Sequence, residues 1–87
     1  MAQMITNVQV SDFDSWKPGF EAAESLRNSG GGISNPRIFR SVTDANDVVI
    51  MFDVEDAAKA RTFLASDPLK EAMKNIGVVS GPRITFF

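Results

Sequence analysis

The most regular feature of the hydrophobic pattern is the segment Val48–Val54, in which six of seven residues are apolar and several are β-branched or aromatic. Such a composition is typical of a β-strand. Alternate positions from Val48 form one apolar face, and Val49 and Met51 lie on the other face with Asp53. A strand that is apolar on both faces needs cover on both sides. We therefore predict that this segment is the centre of a sheet between two layers.

The first half of the chain predicts a strand and then a helix. Alternation over Met4–Val10 indicates the strand. Apolar residues at spacings of three and four indicate the helix, and they are Phe13, Trp16, Phe20, Ala23 and Leu26. Pro18 lies inside this stretch, and proline suits a first helical position. We therefore predict a short turn over Asp12–Lys17 and a main helix that begins at Pro18.

The second half of the chain repeats this plan. Pro36–Val42 has the pattern of a strand, and turn residues join it to the central strand as a hairpin. The helix that follows is broken at Asp67 and Pro68, where we predict a new start with Asp67 as its cap. Gly77 is expected to end this helix in a left-handed conformation. Pro82–Phe87 is the last predicted strand.

The order strand, helix, strand, strand, helix, strand predicts an α+β fold of the ferredoxin-like, split-βαβ type (βαββαβ). Right-handed crossovers place both helices on one face of a four-stranded antiparallel sheet. Residues 1–87 then form a single domain whose other sheet face has no cover, with either Val49 and Met51 or Val48 and Ile50 exposed. We predict that a second copy covers this face, in a homodimer whose two sheets pack face to face.

Composition limits the chemistry of the protein. Its 87 residues include no cysteine and no histidine, so we expect no disulfide, no metal and no other cofactor. The net charge is −2, without a cluster of basic residues, and we therefore expect no nucleic-acid partner. We recognise neither a signal peptide nor an apolar run long enough to cross a bilayer. We accordingly expect no membrane association and a soluble, cytoplasmic protein.

Two aromatic residues are candidates for a binding site. Trp16 and Phe20 lie one turn apart on the first predicted helix. They would form a wall of a ligand pocket between helix and sheet, or they would simply fill the core.

The run Gly30-Gly31-Gly32 is a second motif to consider. A phosphate-binding loop needs a following Lys-Ser/Thr or a place between a strand and a helix. This run follows a helix and precedes a strand, so we interpret it as a flexible connector.

Four charged residues are further candidates for a ligand site. Asp53 is the one charge in the central strand. A five-residue hairpin loop would set Arg37 directly opposite Asp53, whereas a four-residue loop would make Arg40 a diagonal neighbour. A carboxylate beside an arginine can bind a polar substrate or form a structural ion pair, and we favour the ion pair because arginine makes a carboxylate a poorer base. Arg83 would hold an anionic ligand or cross the dimer interface.

Several segments of the chain resemble those of a known group of proteins. Val10–Phe20 resembles the strand-to-helix opening of dimeric α+β barrel proteins, in the subgroup near antibiotic biosynthesis monooxygenases and small cyclase-like proteins. Arg40–Val49 is similar to the second hairpin of that group, and three shorter segments complete the pattern: Ala60–Leu64, Leu69–Met73 and Gly77–Pro82. The resemblance implies a ferredoxin-like fold and a homodimer.

The resemblance implies several activities without selecting one. The group includes cofactor-free monooxygenases, isomerases, haem enzymes and stress-induced proteins. Its haem members usually bring an axial histidine, and its monooxygenase-like members often place histidine and tyrosine around an aromatic substrate. This chain has neither residue type. We therefore assign no catalytic residue, and the resemblance leaves open whether the protein is an enzyme.

Two functional hypotheses follow. In the first, the protein binds a small apolar or aromatic molecule, with cofactor-free monooxygenase-like or isomerase-like activity as an extension. In the second, it is a non-catalytic accessory homodimer whose core is filled by its own side chains. The size of any cavity beside Trp16 and Phe20 distinguishes the two.

Overall fold

The computed structural model describes residues 2–87 and divides them into four strands and four helices. The elements are β1 (Ala2–Val10), α1 (Phe13–Ala22), α2 (Glu24–Gly31), β2 (Ile33–Arg40), β3 (Asp47–Val54), α3 (Ala57–Leu64), α4 (Asp67–Asn75) and β4 (Val78–Phe86). Each of the two predicted helices is thus divided into a pair. Within the described residues, each helix is too short and too polar to span a membrane.

The four strands form one antiparallel sheet in the order β2-β3-β1-β4. β1 lies between β3 and β4, so that Ile5 is opposite both Met51 and Thr85. β2 and β3 form the predicted hairpin at one side of the sheet. This strand order, with a helical connection between β1 and β2 and another between β3 and β4, is the ferredoxin-like α+β fold. The predicted fold class is therefore confirmed.

One face of the sheet is buried and the other is open. On β3, the side chains of Val48, Ile50, Phe52 and Val54 are at most 3% exposed and belong to the hydrophobic core formed with the helices. Val49, Met51 and Asp53 point to the opposite face and are half-buried. The helices cover one face, as predicted, and of the two alternatives the face with Val49 and Met51 is the open one. We call it the open sheet face.

The first helix does not begin at Pro18. It starts directly after Asp12, whose carboxylate accepts a hydrogen bond from the Ser15 backbone N–H at 3.0 Å and caps the helix. The helix continues through Pro18, which lies on its exposed side, where water can bind the Asp14 carbonyl that lacks a helical donor. The predicted start at Pro18 is wrong, and the helical break falls at Ala23 instead.

The glycine run is a packed helix end. Gly30 and Gly31 belong to α2, and only Gly32 lies beyond it, with a left-handed φ of 63°. A Cβ atom on Gly30 or Gly31 would lie 2.9 Å or 2.8 Å from the ring of Phe63 on α3. Glycine at these positions therefore lets α2 and α3 approach closely. The predicted flexible connector is wrong because these glycines contact another helix.

The β2–β3 hairpin has a register that the sequence did not predict. β2 begins at Ile33 and ends at Arg40, earlier at both ends than the predicted strand. A bulge lies between Ser34 and Arg37, and it includes Asn35 with a φ of 53°. Arg37 is opposite Met51, so neither predicted register is right.

The second helical pair follows the prediction closely. α3 ends before a short connection, and α4 begins at Asp67 with Pro68 in its first turn, which confirms the predicted break. The capping position is occupied by Ser66, one residue before the predicted cap at Asp67. Gly77 follows α4 with a φ of 95°, the left-handed conformation expected of it.

Candidate functional site

An apolar cavity lies between the buried face of the sheet and the helices. Its volume is about 70 Å³, and it is partly enclosed. Two of its seventeen lining residues are polar, Thr6 and Arg27, and the others are apolar. The apolar ones are Met4, Val8, Trp16, Phe20, Ala23, Ile33, Ile50, Phe52, Phe63, Leu64, Leu69, Ala72, Met73, Ile76 and Val78. We call this space the central cavity.

Three aromatic residues of α1 form a stack, and two of them, Trp16 and Phe20, line the central cavity. Phe13 and Trp16 have ring centres 5.7 Å apart, and Trp16 and Phe20 stack at 4.8 Å. Phe52 on β3 continues the series, 6.1 Å from Phe20. Trp16 is 2% exposed and Phe20 is 6% exposed. Both residues are therefore core residues, which confirms the packing interpretation, and both border the central cavity, so the ligand-pocket interpretation stays a prediction.

Arg27 is the residue that sequence reasoning missed. The predicted apolar stripe ran through Leu26, yet Leu26 is 39% exposed while Arg27 is 8% exposed. Arg27 Nη1 donates a hydrogen bond to the Phe20 carbonyl oxygen at 2.8 Å, and its guanidinium carbon lies 3.9 Å from the centre of the Phe20 ring. Burial lowers the pKa of Arg27 from its usual value, and the charge of Glu24 partly opposes this effect. An arginine remains charged at neutral pH even so.

Helical spacing explains why Arg27 faces inward. Arg27 lies seven residues after Phe20, close to two full turns, so it continues the buried stripe of α1 past the break at Ala23, whereas Leu26 lies to one side of that stripe. The buried residues of α2 are Arg27 and Gly31, four positions apart on one side of the helix. The sequence signal for the burial of Arg27 was its place between two small residues, Ala23 and Gly31, each four positions away on the same side of the helix.

Thr6 contributes the second polar group of the cavity lining. It lies on β1 with its side chain on the buried face and is 7% exposed. Its hydroxyl oxygen is fully buried and has no hydrogen-bond partner in the part of the chain that the structure describes. Buried hydroxyls are usually hydrogen-bonded, so this group is a candidate for contact with a bound molecule.

The charged candidates lie on or beside the open sheet face, away from the central cavity. Arg37 Nη2 and Asp53 Oδ1 form an ion pair at 2.9 Å, and Asn35 donates a hydrogen bond to Asp53 Oδ2 at 3.0 Å. The hydrogen bond from Asn35 is the largest cause that lowers the pKa of Asp53 below its usual value, and Arg37 adds to it. Arg83 is exposed opposite Asn7 on the same face.

Arg40 occupies a separate position at the end of β2. Its guanidinium carbon lies 3.9 Å from the centre of the Phe13 ring, and its Nε donates to the Ala45 carbonyl oxygen at 3.0 Å. Arg40 thus covers one end of the aromatic stack, as Arg27 covers the other. The structure brings together Trp16 and Phe20 at the cavity, and it brings none of the four charged candidates into the cavity lining.

A second, wider depression lies between α3 and β4. Its volume is about 630 Å³, and Arg61, Leu64 and Phe86 are among its lining residues. It is a shallow surface feature, with the Arg61 guanidinium 5.1 Å from the centre of the Phe86 ring. In the part of the chain that the structure describes, no three acidic residues cluster as ligands for a metal ion.

Comparison with solved structures identifies the class of fold. A proposed antibiotic biosynthesis monooxygenase from Bordetella bronchiseptica superposes with a TM-score of 0.78 at 18% identity, over 99% of this chain and 93% of that chain. A mutant of SnoaB, a cofactor-independent oxygenase from Streptomyces nogalater, has a TM-score of 0.71 at 14% identity, over 99% and 89% of the two chains. A conserved protein from Methanosarcina mazei Go1 has a TM-score of 0.70 at 10% identity, over 99% and 89%.

These similarities establish a shared fold over nearly the whole chain. The protein has the ferredoxin-like α+β fold of antibiotic biosynthesis monooxygenase-like proteins, which confirms the resemblance at the level of structure. No family model matches the sequence, and no curated protein matches it either.

Proposed function

We propose that this protein binds a small, mainly apolar molecule in the central cavity and oxidises it in the manner of a cofactor-independent oxygenase. The observation that carries the proposal is the apolar cavity beside Trp16 and Phe20. The fold that surrounds this cavity is also the fold of SnoaB, which is a cofactor-independent oxygenase. The same reasoning supports a homodimer as the functional form.

The size and lining of the cavity define the kind of ligand. Pockets for drug-sized ligands usually measure several hundred Å³, and the central cavity measures about 70 Å³. With the side chains in this arrangement, the cavity suits a small molecule or one part of a larger molecule. Its wall is almost entirely apolar, so the bound part is expected to be hydrocarbon or aromatic.

The proposed reaction requires no external reductant when the ligand supplies the electrons. In one balanced form, a methylene group of the ligand becomes a carbonyl group. One atom of O₂ enters the product, and the other leaves as water with the two hydrogens of the methylene. The protein then contributes by holding the ligand in one orientation and excluding bulk water, which are effects of position and shape.

The open sheet face supports the proposal of a homodimer. Phe39 is 54% exposed there, and Val49 and Met51 lie beside it in the same face. The charged residues Arg37 and Asp53 are already paired with each other, so a second copy can cover this face without leaving them unpaired. A chain of 87 residues also gains stability from association because its single core is small.

Cavity binding can be tested with Trp16 as the reporter, because it is the one tryptophan of the chain. We expect benzene to shift the Trp16 indole N–H signal in a ¹H–¹⁵N spectrum in a saturable manner. Ala72 lines the cavity, so Ala72→Leu should fill it and weaken binding; Ala58→Leu, at an exposed position of α3, should leave binding unchanged. Equal binding by both variants would place the ligand elsewhere.

Oxygenase activity and assembly need their own measurements. We expect ligands found by screening to cause O₂ uptake, with one ¹⁸O atom from ¹⁸O₂ in the product. Native mass spectrometry of freshly purified protein should give a dimer, with a reproducible extra mass if a ligand is retained. Cavity binding without O₂ uptake would contradict the oxygenase part of the proposal and favour an isomerase or a binding protein.

A second candidate function is that of an accessory homodimer without catalysis. The small volume of the central cavity favours it, because little space remains between α1 and the sheet. A dimer that binds no ligand in the Trp16 titration, and that carries no extra mass, would support this candidate over the oxygenase.

A further inference from the structure

The two buried polar residues of the described chain both border the central cavity. Arg27 is 8% exposed and Thr6 is 7% exposed, and they are also the two polar residues of the cavity lining. Buried polar groups are usually hydrogen-bonded, and buried charges are usually paired. Neither residue meets this expectation in full, and both are therefore candidates for contact with a ligand.

Arg27 keeps most of its hydrogen-bonding capacity unused. A guanidinium has five N–H donors, and one of them reaches the Phe20 carbonyl oxygen. The other four have no protein acceptor among the residues that the structure describes, and no carboxylate there lies within 4.0 Å of Arg27. Glu24 is exposed, and its charge does not cancel the effect of burial on Arg27. No carboxylate among the described residues therefore pairs with Arg27, and none of its unpaired nitrogen atoms is completely buried.

The geometry of Arg27 leaves these donors available to a ligand. The guanidinium carbon lies 3.9 Å from the centre of the Phe20 ring and 5.8 Å from that of Phe52. A guanidinium contacts an aromatic ring through its flat face, whereas its N–H bonds lie in its own plane. Phe20 therefore fixes the position of the group by stacking, and the free edge can bind two oxygens of one carboxylate.

The packing of α2 holds Arg27 in this orientation. Gly31 lies one turn after Arg27 on the same side, and its Cα approaches the Phe63 ring so closely that a Cβ would lie 2.8 Å away. This contact sets the rotation of α2 about its axis. Leu26 would be the more favourable residue to bury, yet it is 39% exposed. The fold thus buries an arginine beside an apolar side chain that stays outside.

Thr6 offers a second donor from the opposite side of the cavity. It lies on β1 in the sheet, whereas Arg27 lies on a helix above the sheet. The Thr6 hydroxyl can rotate to donate or to accept, and in the described chain it does neither. Its oxygen is closed off from the cavity in this arrangement of side chains, so a ligand oxygen reaches it when the neighbouring side chains move apart.

We propose that Arg27 and Thr6 form a subsite for an ionised oxygen of a small ligand, namely a carboxylate, phenolate or enolate oxygen. The apolar part of that ligand lies against Phe20 and Phe52. The proposal rests on the proposed function, because it names the class of molecule that the same cavity binds. An anion pairs with the buried guanidinium, and a neutral molecule of the same shape does not.

The test compares acids with neutral molecules of the same shape. The probes are benzoate with benzamide, and butyrate with butyramide for a smaller fit, each titrated up to tens of millimolar against the Trp16 indole signal. Sodium chloride at equal concentration controls for ionic strength. We expect each acid to bind at least about tenfold more tightly than its amide, because hydrogen bonds to charged groups are the stronger kind.

Variants test whether the proposed residues cause the preference for acids over amides. Arg27→Met keeps the length of the side chain and should remove the preference, with amide binding unchanged. Arg27→Lys should retain part of this preference, since lysine keeps the positive charge but lacks the planar guanidinium that binds two oxygens at once. Arg40→Met is the matched control, because Arg40 also lies 3.9 Å from a ring of the aromatic stack but is exposed and outside the cavity lining. Thr6→Val should weaken acid binding less than Arg27→Met does.

The possible outcomes separate this proposal from the proposed function. Equal affinity for acid and amide, or acid binding that Arg27→Met leaves unchanged, overturns the anion subsite while cavity binding stands. Failure of all four probes overturns the subsite for small acids, and failure of benzene as well overturns cavity binding itself.

Stability gives a readout that separates a ligand-binding arginine from a structural one. Removing an unpaired buried charge is expected to stabilise the ligand-free protein, so Arg27→Met should unfold at a higher temperature than the natural chain. Benzoate should then raise the unfolding temperature of the natural chain and not that of the variant. If Arg27 had only a structural role, the variant would unfold at a lower temperature and benzoate would affect both proteins alike.

Discussion

Arg37 and Asp53 form an ion pair of 2.9 Å across the open sheet face, although the strand ladder places Arg37 opposite Met51. The bulge before Arg37 makes this diagonal contact possible and brings Asn35 to the second carboxylate oxygen at 3.0 Å. The pair is the structural ion pair that the sequence favoured. It lies on the surface that we propose as the dimer interface.

The hydrogen bonds to Asp53 predict a dependence of stability on pH. They hold the folded-state pKa of Asp53 below its usual value. A group of this kind stabilises the fold above its unfolded-state pKa, about 3.9, and loses that contribution as the pH falls through the lower folded-state pKa. We therefore expect Asp53→Asn to lower the free energy of unfolding at about pH 7 and to have a smaller effect at about pH 3.

Urea denaturation at the two pH values measures this difference. Glu71→Gln is the control, because Glu71 is an exposed residue of α4. The control should change stability little at either pH. An equal loss for Asp53→Asn at both pH values would show that the charge of Asp53 has no part in its contribution.

The proposed homodimer predicts a selective effect of charge on the open sheet face. Met51 lies at the middle of β3 on this face, and Met51→Asp would bury an unpaired carboxylate in each copy. A buried charge that is left without a partner typically costs about 3–5 kcal/mol. We expect the variant to be a folded monomer at concentrations where the natural chain is a dimer, as measured by light scattering after size exclusion.

The control for this prediction carries the same new charge elsewhere. Leu26 is an exposed apolar residue on α2, away from the open sheet face, and Leu26→Asp should leave the dimer intact. A natural chain that is monomeric at micromolar concentration, or a Met51→Asp variant that dimerises normally, would contradict the proposed interface.

The sequence predicted the features that depend on local pattern. Alternation along β3 assigned Val48 and Met51 to opposite faces of the sheet, because the side-chain period of a strand is fixed at two, and the structure shows that the face with Val48 is the buried one. The break at Pro68 was predictable because proline favours the first turn of a helix. The open sheet face followed from counting elements, since both predicted helices lie on the other face of the sheet.

The features that the sequence did not predict depend on contacts between elements. Arg27 lies on the buried stripe two turns after Phe20, where it contacts the ring and the carbonyl oxygen of Phe20, whereas the predicted apolar stripe continued to Leu26. The sequence placed Gly31 in a connector. Its place in α2 depends on close packing against the ring of Phe63 on α3, which a local pattern does not reveal. The hairpin register differs from both predictions because the connection 41–46 is longer than either predicted loop, and the bulge at Asn35 shifts only the pairs beyond Arg37. Local propensity is a weak guide where tertiary contacts decide.

The contact between Gly31 and Phe63 predicts that a better helix former will destabilise the protein. Gly31→Ala gains about 1 kcal/mol of helix propensity. Its Cβ would lie 2.8 Å from Phe63 and 3.0 Å from Ile33, and overpacking of this kind costs about 1–3 kcal/mol. We expect a net loss of roughly 1 kcal/mol in the free energy of unfolding, measured by urea denaturation.

Two further variants test the cause of that loss. Ser29→Ala lies at an exposed position of the same helix and should stabilise slightly, since it gains propensity without a clash. Phe63→Leu in the Gly31→Ala background should cost less than Phe63→Leu alone, because the smaller side chain leaves room for the new methyl group. Additive effects of the two substitutions would contradict a direct clash between them.

The position of Pro18 inside α1 predicts that its removal will stabilise the protein. Proline in a helix interior costs about 3 kcal/mol because it lacks an N–H and crowds the preceding turn, although its rigidity returns about 0.4–1 kcal/mol through the unfolded chain. We expect Pro18→Ala to raise the free energy of unfolding by about 1–2 kcal/mol and the unfolding temperature by several degrees. Pro68 is the matched control, because it lies in the first turn of α4, and Pro68→Ala should be neutral or slightly destabilising. If Pro18→Ala behaves like Pro68→Ala, the helix begins at Pro18 as the sequence suggested, and Phe13 and Trp16 lie outside it.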